Sequence, residues 1–538
     1  MSRSRTTPGT APSAPRSAPG TSRSAPRDRS RDGSGSSRAA DGGAPAAAAW
    51  TAFGGDLHLD LGGRRAAGAG LRAALEDALR EAVQDGRLAP GTRLPSSRAL
   101  GQDLGIARNT VVEVYGQLTA EGWLSSRQGS GTTVAERAAP RPAGRTVEVR
   151  AGLRPTGRHD LLAGRPDLSL FPRSAWLASA RRALAVAPHE AFDYGSPLGR
   201  IELRRALADY LARVRGVRTD PERLLICAGL RQGLGLLAAA LRERGTGAVA
   251  VEAYGLPPQR DTLRAAGLGL VPLPLDGSGA RTDLLDGLSA ERAGGRTGAG
   301  ARADRRPGAV LLTPAHQFPT GAALAADRRA AAVRWARAHD GYVIEDDYDG
   351  EFRYDRQPLG AMQALDPDRV VYGGTAAKSL APGLRLAWLA LPDGLVEPVA
   401  RFRALADTTG PVIDQLTFAE LIDSGRYDRH VRRCRLHYRR RRDLLVAALA
   451  ERAPHVRVTG IAAGLHAVLQ LPPGSRPEAE LVARARAGGL VLSSLGWYLA
   501  DPALAPDAPP ALVVGHATPP EHAFPAALDA LCELLREA

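Results

Sequence analysis

The chain has 538 residues, 44% of them hydrophobic, and a formal net charge of +14. Its length suggests roughly three domains with ample material for a core, and its charge suits a polyanionic partner. Cys227, Cys434 and Cys532 lie far apart and form no CxxC pair, which argues against a disulfide scaffold or a zinc ribbon and fits a reducing cytoplasm. No apolar run approaches the ~20 residues a membrane helix needs, and Pro and Ser follow the basic N-terminus where a signal peptide would be apolar.

Residues 1–65 are mainly Ser, Pro, Gly, Ala and Arg, with too few large apolar residues to offset the entropy of ordering. They are expected to form a disordered basic tail, either a loose nucleic-acid tether or a solubilising segment. From Gly70 the pattern changes. Leu71, Leu75, Leu79 and Val83 recur at helical spacing, and Asp85-Gly86 ends that helix. Ser96 caps a second helix with Leu100 and Leu104 on its apolar face. Gly105-Ile106 turns the chain into a third helix, which carries Val111, Val114, Tyr115 and Leu118 inward and stops at Gly122. Trp123-Leu124 and Thr132-Thr133-Val134 read as two short strands around a Gly-rich tip. Three short helices and a hairpin over residues 66–135 predict a winged helix-turn-helix.

The second helix of such a motif enters the major groove with its N-terminal residues at the base edges. Those residues here are Ala107, Arg108, Asn109 and Thr110. Arg can bond guanine bidentately and Asn can do the same with adenine. Ser97 and Arg98 are placed for phosphates, and Arg127, Gly129 and Ser130 at the wing suit a phosphate or the minor groove. A winged helix used for protein contacts is the other reading. Residues 66–135 hold seven Arg and seven Asp or Glu, so a DNA face there requires segregated charge.

Residues 136–157 read as a linker rich in Pro, Gly, Ala and Arg. Residues 158–538 read as one large α/β domain, in which β-rich runs such as Ala309–Thr313, Tyr342–Asp346 and Val370–Tyr372 alternate with Ala/Leu/Arg helices. This predicts a mostly parallel sheet with helices on both faces. The stretch from about Asp276 to Gly308 is expected to be a long surface insertion.

Among 71 Lys and Arg residues, Lys378 is the only lysine. Arg holds its proton too tightly to act as a nucleophile, whereas Lys can lose it and form a Schiff base. A lysine surviving by chance is the plainer alternative. It follows a strand expected to end at Gly373-Gly374, which sets it at a sheet edge where ligands of open α/β sheets bind. An aldehyde cofactor needs such an amine, a carboxylate for its ring nitrogen and an anion site for its phosphate. Asp346 is the candidate carboxylate, unless the acidic run Glu345-Asp346-Asp347 is a solvated turn. Tyr348 is close enough in sequence to reach a ring hydroxyl. Gly229, Leu230 and Arg231 open a helix whose backbone N–H groups favour an anion, and Thr375 and Arg385 add a hydroxyl and a charge.

Two resemblances follow. Leu94–Arg98, Leu104–Val111, Glu121-Gly122 and Gly129–Thr132 resemble the GntR family of bacterial repressors. The site residues, with Gly164–Asp167, Tyr194–Gly199 and Thr313–Gly321, resemble the fold-type I, aminotransferase-like proteins that use pyridoxal 5′-phosphate. Together they look like the MocR subfamily of regulators. That resemblance implies a cofactor held as an aldimine at Lys378. It also implies a head-to-tail homodimer in which Tyr194 reaches the partner's phosphate site, a double-stranded DNA operator, and pyridoxal 5′-phosphate or a small amine or amino acid as effector.

The chain also departs from the aminotransferase pattern. Phe318 stands where aminotransferases usually carry Asn, and Val513 stands where the best-matching stretch would place the Arg that holds a substrate carboxylate. A ring-stacking Tyr is missing at Leu256. An aminotransferase with a DNA-binding appendage, and a DNA-binding protein whose large domain only dimerises, are the alternatives. Residues 426–443 hold nine Arg and two Asp, which reads as a solvated helix face or as a DNA contact between half-sites.

Overall fold

A computed structural model describes residues 59, 61, 70–127, 131–136, 157–290, 306–354, 359–506 and 508–536. The wing-tip residues Gly129 and Ser130, most of the tail and most of the linker lie outside these residues. The chain divides into two units, Met1–Ala151 and Gly152–Ala538. No helix among the described residues is long and apolar enough to cross a membrane.

The first unit contains α1 (Leu71–Gln84), α2 (Ser97–Asp103), α3 (Arg108–Ala120) and the antiparallel pair β1 (Leu124–Arg127) and β2 (Gly131–Val134). The Ser96 side chain accepts the N–H of Ala99 at 3.2 Å and so caps α2. Gly105 takes φ 62° in the turn to α3, a conformation open to a residue without Cβ. A Cβ on Gly101 would stand 3.1 Å from the Ile106 carbonyl oxygen, so the small residue lets the turn close over α2. Tyr115 donates its hydroxyl to the Pro95 carbonyl at 3.0 Å, which ties α3 to the segment before α2. This is the expected winged helix-turn-helix.

Two leucines expected in the tail belong to this core. Leu59 and Leu61 are buried with Leu75, Leu79, Leu100 and Val114. The Leu61 N–H bonds the Leu59 carbonyl at 3.1 Å, and two leucines are a pattern too short to stand out in a Gly/Ala-rich tail.

The second unit is built on a seven-stranded sheet. Its strands are β3 (Leu224–Cys227), β4 (Ala248–Glu252), β5 (Gly269–Leu273), β6 (Pro307–Leu312), β7 (Tyr342–Asp347), β8 (Val370–Thr375) and β9 (Ala387–Ala390), in the order β3-β9-β8-β7-β6-β4-β5. All neighbours are parallel except β9, which runs against β3 and β8. Strands β3, β4, β7, β8 and β9 are buried along their whole length because apolar clusters cover both faces. A smaller antiparallel sheet follows, with Arg457–Thr459, Ala467–Gln470, Ala511–Val514 and Ser493–Ser494 side by side.

Two further expectations are corrected, and one alternative is excluded. β8 does not end at its glycines; it continues through Gly373 and Gly374 to Thr375, opposite Leu389, Trp388 and Ala387. A Cβ on Gly373 would stand 2.7 Å from Leu230 Cδ1, and one on Gly374 would collide with the Trp388 indole, so both glycines serve close packing within the strand. The first half of the 276–308 stretch is not a loose insertion: Leu275–Asp276 pairs with Gly279–Ala280, and Ala280 and Leu285 are buried in the core. The acidic run 345–347 is not a solvated turn, since all three residues are buried inside β7.

Candidate functional site

The carboxyl edge of the large sheet gathers the residues expected around an aldehyde cofactor. β3, β9 and β8 set Cys227, Ala387 and Thr375 side by side. Gly229 therefore follows one strand end, Arg385 precedes the next and Lys378 follows the third. Gly229 takes φ 92° as the N-cap of α4 (Leu230–Glu243). A Cβ there would stand 2.5 Å from the Arg385 guanidinium, which also bonds the Ala228 carbonyl. The first N–H groups of a helix have no carbonyl within the helix to bond, so Leu230 and Arg231 open an anion-favouring turn beside a cation. The Thr375 hydroxyl accepts the N–H of Ala377 at 3.1 Å and donates to the Leu386 carbonyl at 3.3 Å. Leu230 contributes an apolar side chain packed over Gly373, and the Arg231 side chain is exposed to solvent.

Lys378 Nζ donates to the Gly164 carbonyl at 2.5 Å. Its charge also acts on Asp346. The three acids of β7 differ in what they bond. Glu345 accepts the N–H groups of Met362 and Gln363, both at 2.9 Å. Asp347 takes the buried Arg215 guanidinium at 2.6 and 2.9 Å and the Tyr372 hydroxyl at 2.7 Å. Asp346 Oδ2 accepts from Gln259 at 2.7 Å, but its buried Oδ1 has no hydrogen-bond partner. Burial pushes the Asp346 carboxyl up to about 7, against the downward pull of Gln259 and Lys378. A buried carboxylate oxygen without a donor is costly, and a protonated ring nitrogen would satisfy it. With Lys378 and the Gly229 turn at the same edge, the residues present fit pyridoxal 5′-phosphate.

Tyr348 lines the same pocket as Asp346, with Phe318, Tyr254 and Leu256. Its hydroxyl lies 3.0 Å from His316 Nδ1, and Phe318 meets its ring edge-on at 5.7 Å. Tyr194 stands apart at the surface, 81% exposed. Gln259 and the Gly164 carbonyl were not foreseen. Gln259 lies on α5 (Pro257–Ala265), 87 residues from Asp346, and Gly164 acts through its backbone, so neither carries a local signal.

In the first unit, Arg98, Arg108, Asn109 and Arg127 are exposed, and Ser97 and Thr110 are partly exposed. Elsewhere on the module Arg72 pairs with Glu76, and Arg80 pairs with Asp77 and Glu121. These pairs, with Arg72–Glu113, engage two of the module's arginines with four of its acids.

The family of bacterial regulatory proteins, gntR family, matches residues 71–134, and aminotransferase class I and II matches residues 161–490. The chain is 34% identical to an HTH-type transcriptional regulator, YdeL, of Bacillus subtilis, covering 76% of this chain and 86% of that one. It is 33% identical to the HTH-type pyridoxine biosynthesis transcriptional regulator PdxR of Corynebacterium glutamicum, covering 79% and 88%. It belongs to the GntR-family regulators of the MocR type. The probable rhizopine catabolism regulatory protein MocR of Rhizobium meliloti is 31% identical over 69% of this chain and 76% of its own. The fold of an archaeal alanine:glyoxylate aminotransferase superposes with a TM-score of 0.62 at 24% identity, over 72% of this chain and 92% of that one. A multiple substrate aminotransferase from Thermococcus profundus gives the same TM-score and identity, over 73% and 96%.

Against that enzyme fold, the departures of this MocR-type chain are physical. Phe318 is buried and packs edge-on against Tyr348, Tyr498 and His466. Val513 is fully buried in the smaller sheet, in the same apolar cluster. The Arg-rich stretch lies in α6 (Arg426–Arg452). Arg429, Arg432, Arg433, Arg439 and Arg440 face solvent, whereas Arg441 is buried, donating to Asp167 at 2.9 Å and to the Pro519 carbonyl at 2.5 Å.

Proposed function

We propose that this regulator binds a double-stranded DNA operator in the cytoplasm through its N-terminal module, and that its large domain holds pyridoxal 5′-phosphate at Lys378 and senses the cofactor itself or a small amine. The observation that carries the cofactor reading is the buried, partnerless Asp346 Oδ1 within the electrostatic reach of the chain's only lysine. Pyridoxal 5′-phosphate supplies an aldehyde that condenses with a primary amine, and a ring that withdraws electrons when its nitrogen is protonated. Lys378 Nζ is the amine. Asp346 would keep the proton on the ring nitrogen, with Gln259 orienting its other oxygen. The N–H groups of Leu230 and Arg231 beside Gly229, the Thr375 hydroxyl and the Arg385 guanidinium would hold the phosphate. Tyr348 would stand near the ring hydroxyl. Tyr194, exposed on its own chain, would reach the phosphate site of a second copy in a head-to-tail homodimer.

Arg108, Asn109 and Thr110 would read bases, and Ser97, Arg98, Arg127, Gly129 and Ser130 would contact phosphates or the minor groove. An effector shifts such a protein only if it binds two conformations differently. Transaminase turnover is expected to be weak at most, because Phe318 cannot hydrogen-bond a ring hydroxyl and Val513 cannot hold a carboxylate. Footprinting on the DNA upstream of the neighbouring divergent gene, with and without pyridoxal 5′-phosphate, tests the proposal. A protected site whose occupancy depends on the cofactor supports it. Occupancy indifferent to the cofactor contradicts it.

A further inference from the structure

The pocket beside Lys378 has an unusual chemistry for a site that exchanges amines. Ala163 precedes the glycine whose carbonyl receives Lys378 Nζ. It packs in one buried apolar cluster with Phe318, Val468, Tyr498 and Val513, and Leu256 lies against them. Phe318 and Leu256 also line the pocket that contains Asp346, so this cluster adjoins both the amine and the carboxylate of the site.

The charges around it are acidic or already engaged. Glu252 and Asp346 both line the pocket. Arg165, next to Gly164 in the chain, pairs with Asp160. Arg260 is buried, giving its guanidinium to the carbonyls of Gly255 at 3.1 Å and Tyr498 at 2.8 Å. A carboxylate brought here would lose its water, meet the Glu252 carboxyl and have to break existing bonds to find a cation. An apolar body would fit among side chains of its own kind.

We propose that the effector is a primary amine with an apolar or aromatic body and no carboxylate. This deepens the cofactor reading above and rests on it. The exchange is balanced. The double bond from the cofactor's aldehyde carbon to Lys378 Nζ is replaced by one to the effector nitrogen, the protons lost by the incoming nitrogen are taken up by the departing lysine amine, and nothing is oxidised or reduced. Glu252 favours an incoming ammonium, and the hydrophobic cluster selects its body.

The test uses the full chain loaded with pyridoxal 5′-phosphate and freed of excess cofactor. It is titrated with phenethylamine and phenylalanine, with butylamine and norvaline, and with ethanolamine, while the visible band is followed against free cofactor in the same buffer. Relative to that baseline, each apolar amine is expected to act at a concentration at least tenfold below its amino acid, and butylamine well below ethanolamine. Amino acids acting as well as their amines would overturn the inference, as would a stable band that none of the five disturbs. A protein that shows no cofactor band at all marks a different failure: the cofactor reading itself is then wrong, and the effector class falls with it.

Discussion

Ser379 and Tyr427 face each other with their hydroxyl oxygens 2.7 Å apart, one residue beyond Lys378. Three residues further along α6, His430 Nε2 lies 2.6 Å from the Ser379 carbonyl oxygen. The backbone that carries the lysine is therefore pinned by the Arg-rich helix. A change at Lys378 has a short, buried route to a helix whose opposite face is exposed and cationic.

Tyr427→Phe removes one hydroxyl of this pair while keeping the ring among Tyr210 and Phe418. The variant is expected to lose about 1–2 kcal/mol of stability, the usual cost of leaving a buried partner less well bonded. Chemical denaturation measures it. An unchanged midpoint would mean that the hydroxyl contact does not hold the lysine loop.

Asp346 gives a pH dependence with a definite sign. Its folded carboxyl sits up at about 7, above the ordinary carboxylate range, so between roughly pH 4 and 7 the folded chain holds a proton that the unfolded chain has lost. Stability without cofactor should thus fall as pH rises across that window, and then level off. Glu252 and Glu345 are also pushed up to about 7 by burial and add to the fall. The informative quantity is the difference between the wild type and Asp346→Asn, which should grow in the variant's favour by a few kcal/mol across the window. A difference that does not change with pH would refute the burial argument. Addition of pyridoxal 5′-phosphate is expected to shrink the wild-type slope.

In the DNA-binding module the two kinds of contact should separate. Arg108→Ala and Asn109→Ala are each expected to cost about 1–3 kcal/mol on the operator and to relax base preference at one position. Arg98→Ala should weaken all sequences alike and lower the salt dependence by about one counterion. Binding isotherms at several salt concentrations distinguish these outcomes. A uniform loss from Arg108→Ala would remove it from the base-reading set.

The sequence made the module legible because each helix there carries its own spacing of buried residues and its own stop, such as Val111, Val114, Tyr115 and Leu118 before Gly122. Leu59 and Leu61 escaped because two residues make no period. In the large unit the composition of β7 left two readings of its acids open. Burial on both faces of the sheet decides between them, and only the fold supplies that. The strand through Gly373 and Gly374 was cut short because glycine usually marks a turn. Its reason there is the Trp388 indole on the next strand. Gln259 and the Gly164 carbonyl come from 87 and 214 residues away, and no local pattern announces a contact made only by the folded chain.

The central claim is that Lys378 holds an aldehyde cofactor, and the visible absorption spectrum of the purified protein tests it most directly. With pyridoxal 5′-phosphate added and the excess removed, the wild type is expected to keep a visible band that Lys378→Ala lacks, while both variants keep the same far-ultraviolet circular dichroism. A spectrum that is the same for both would contradict the account.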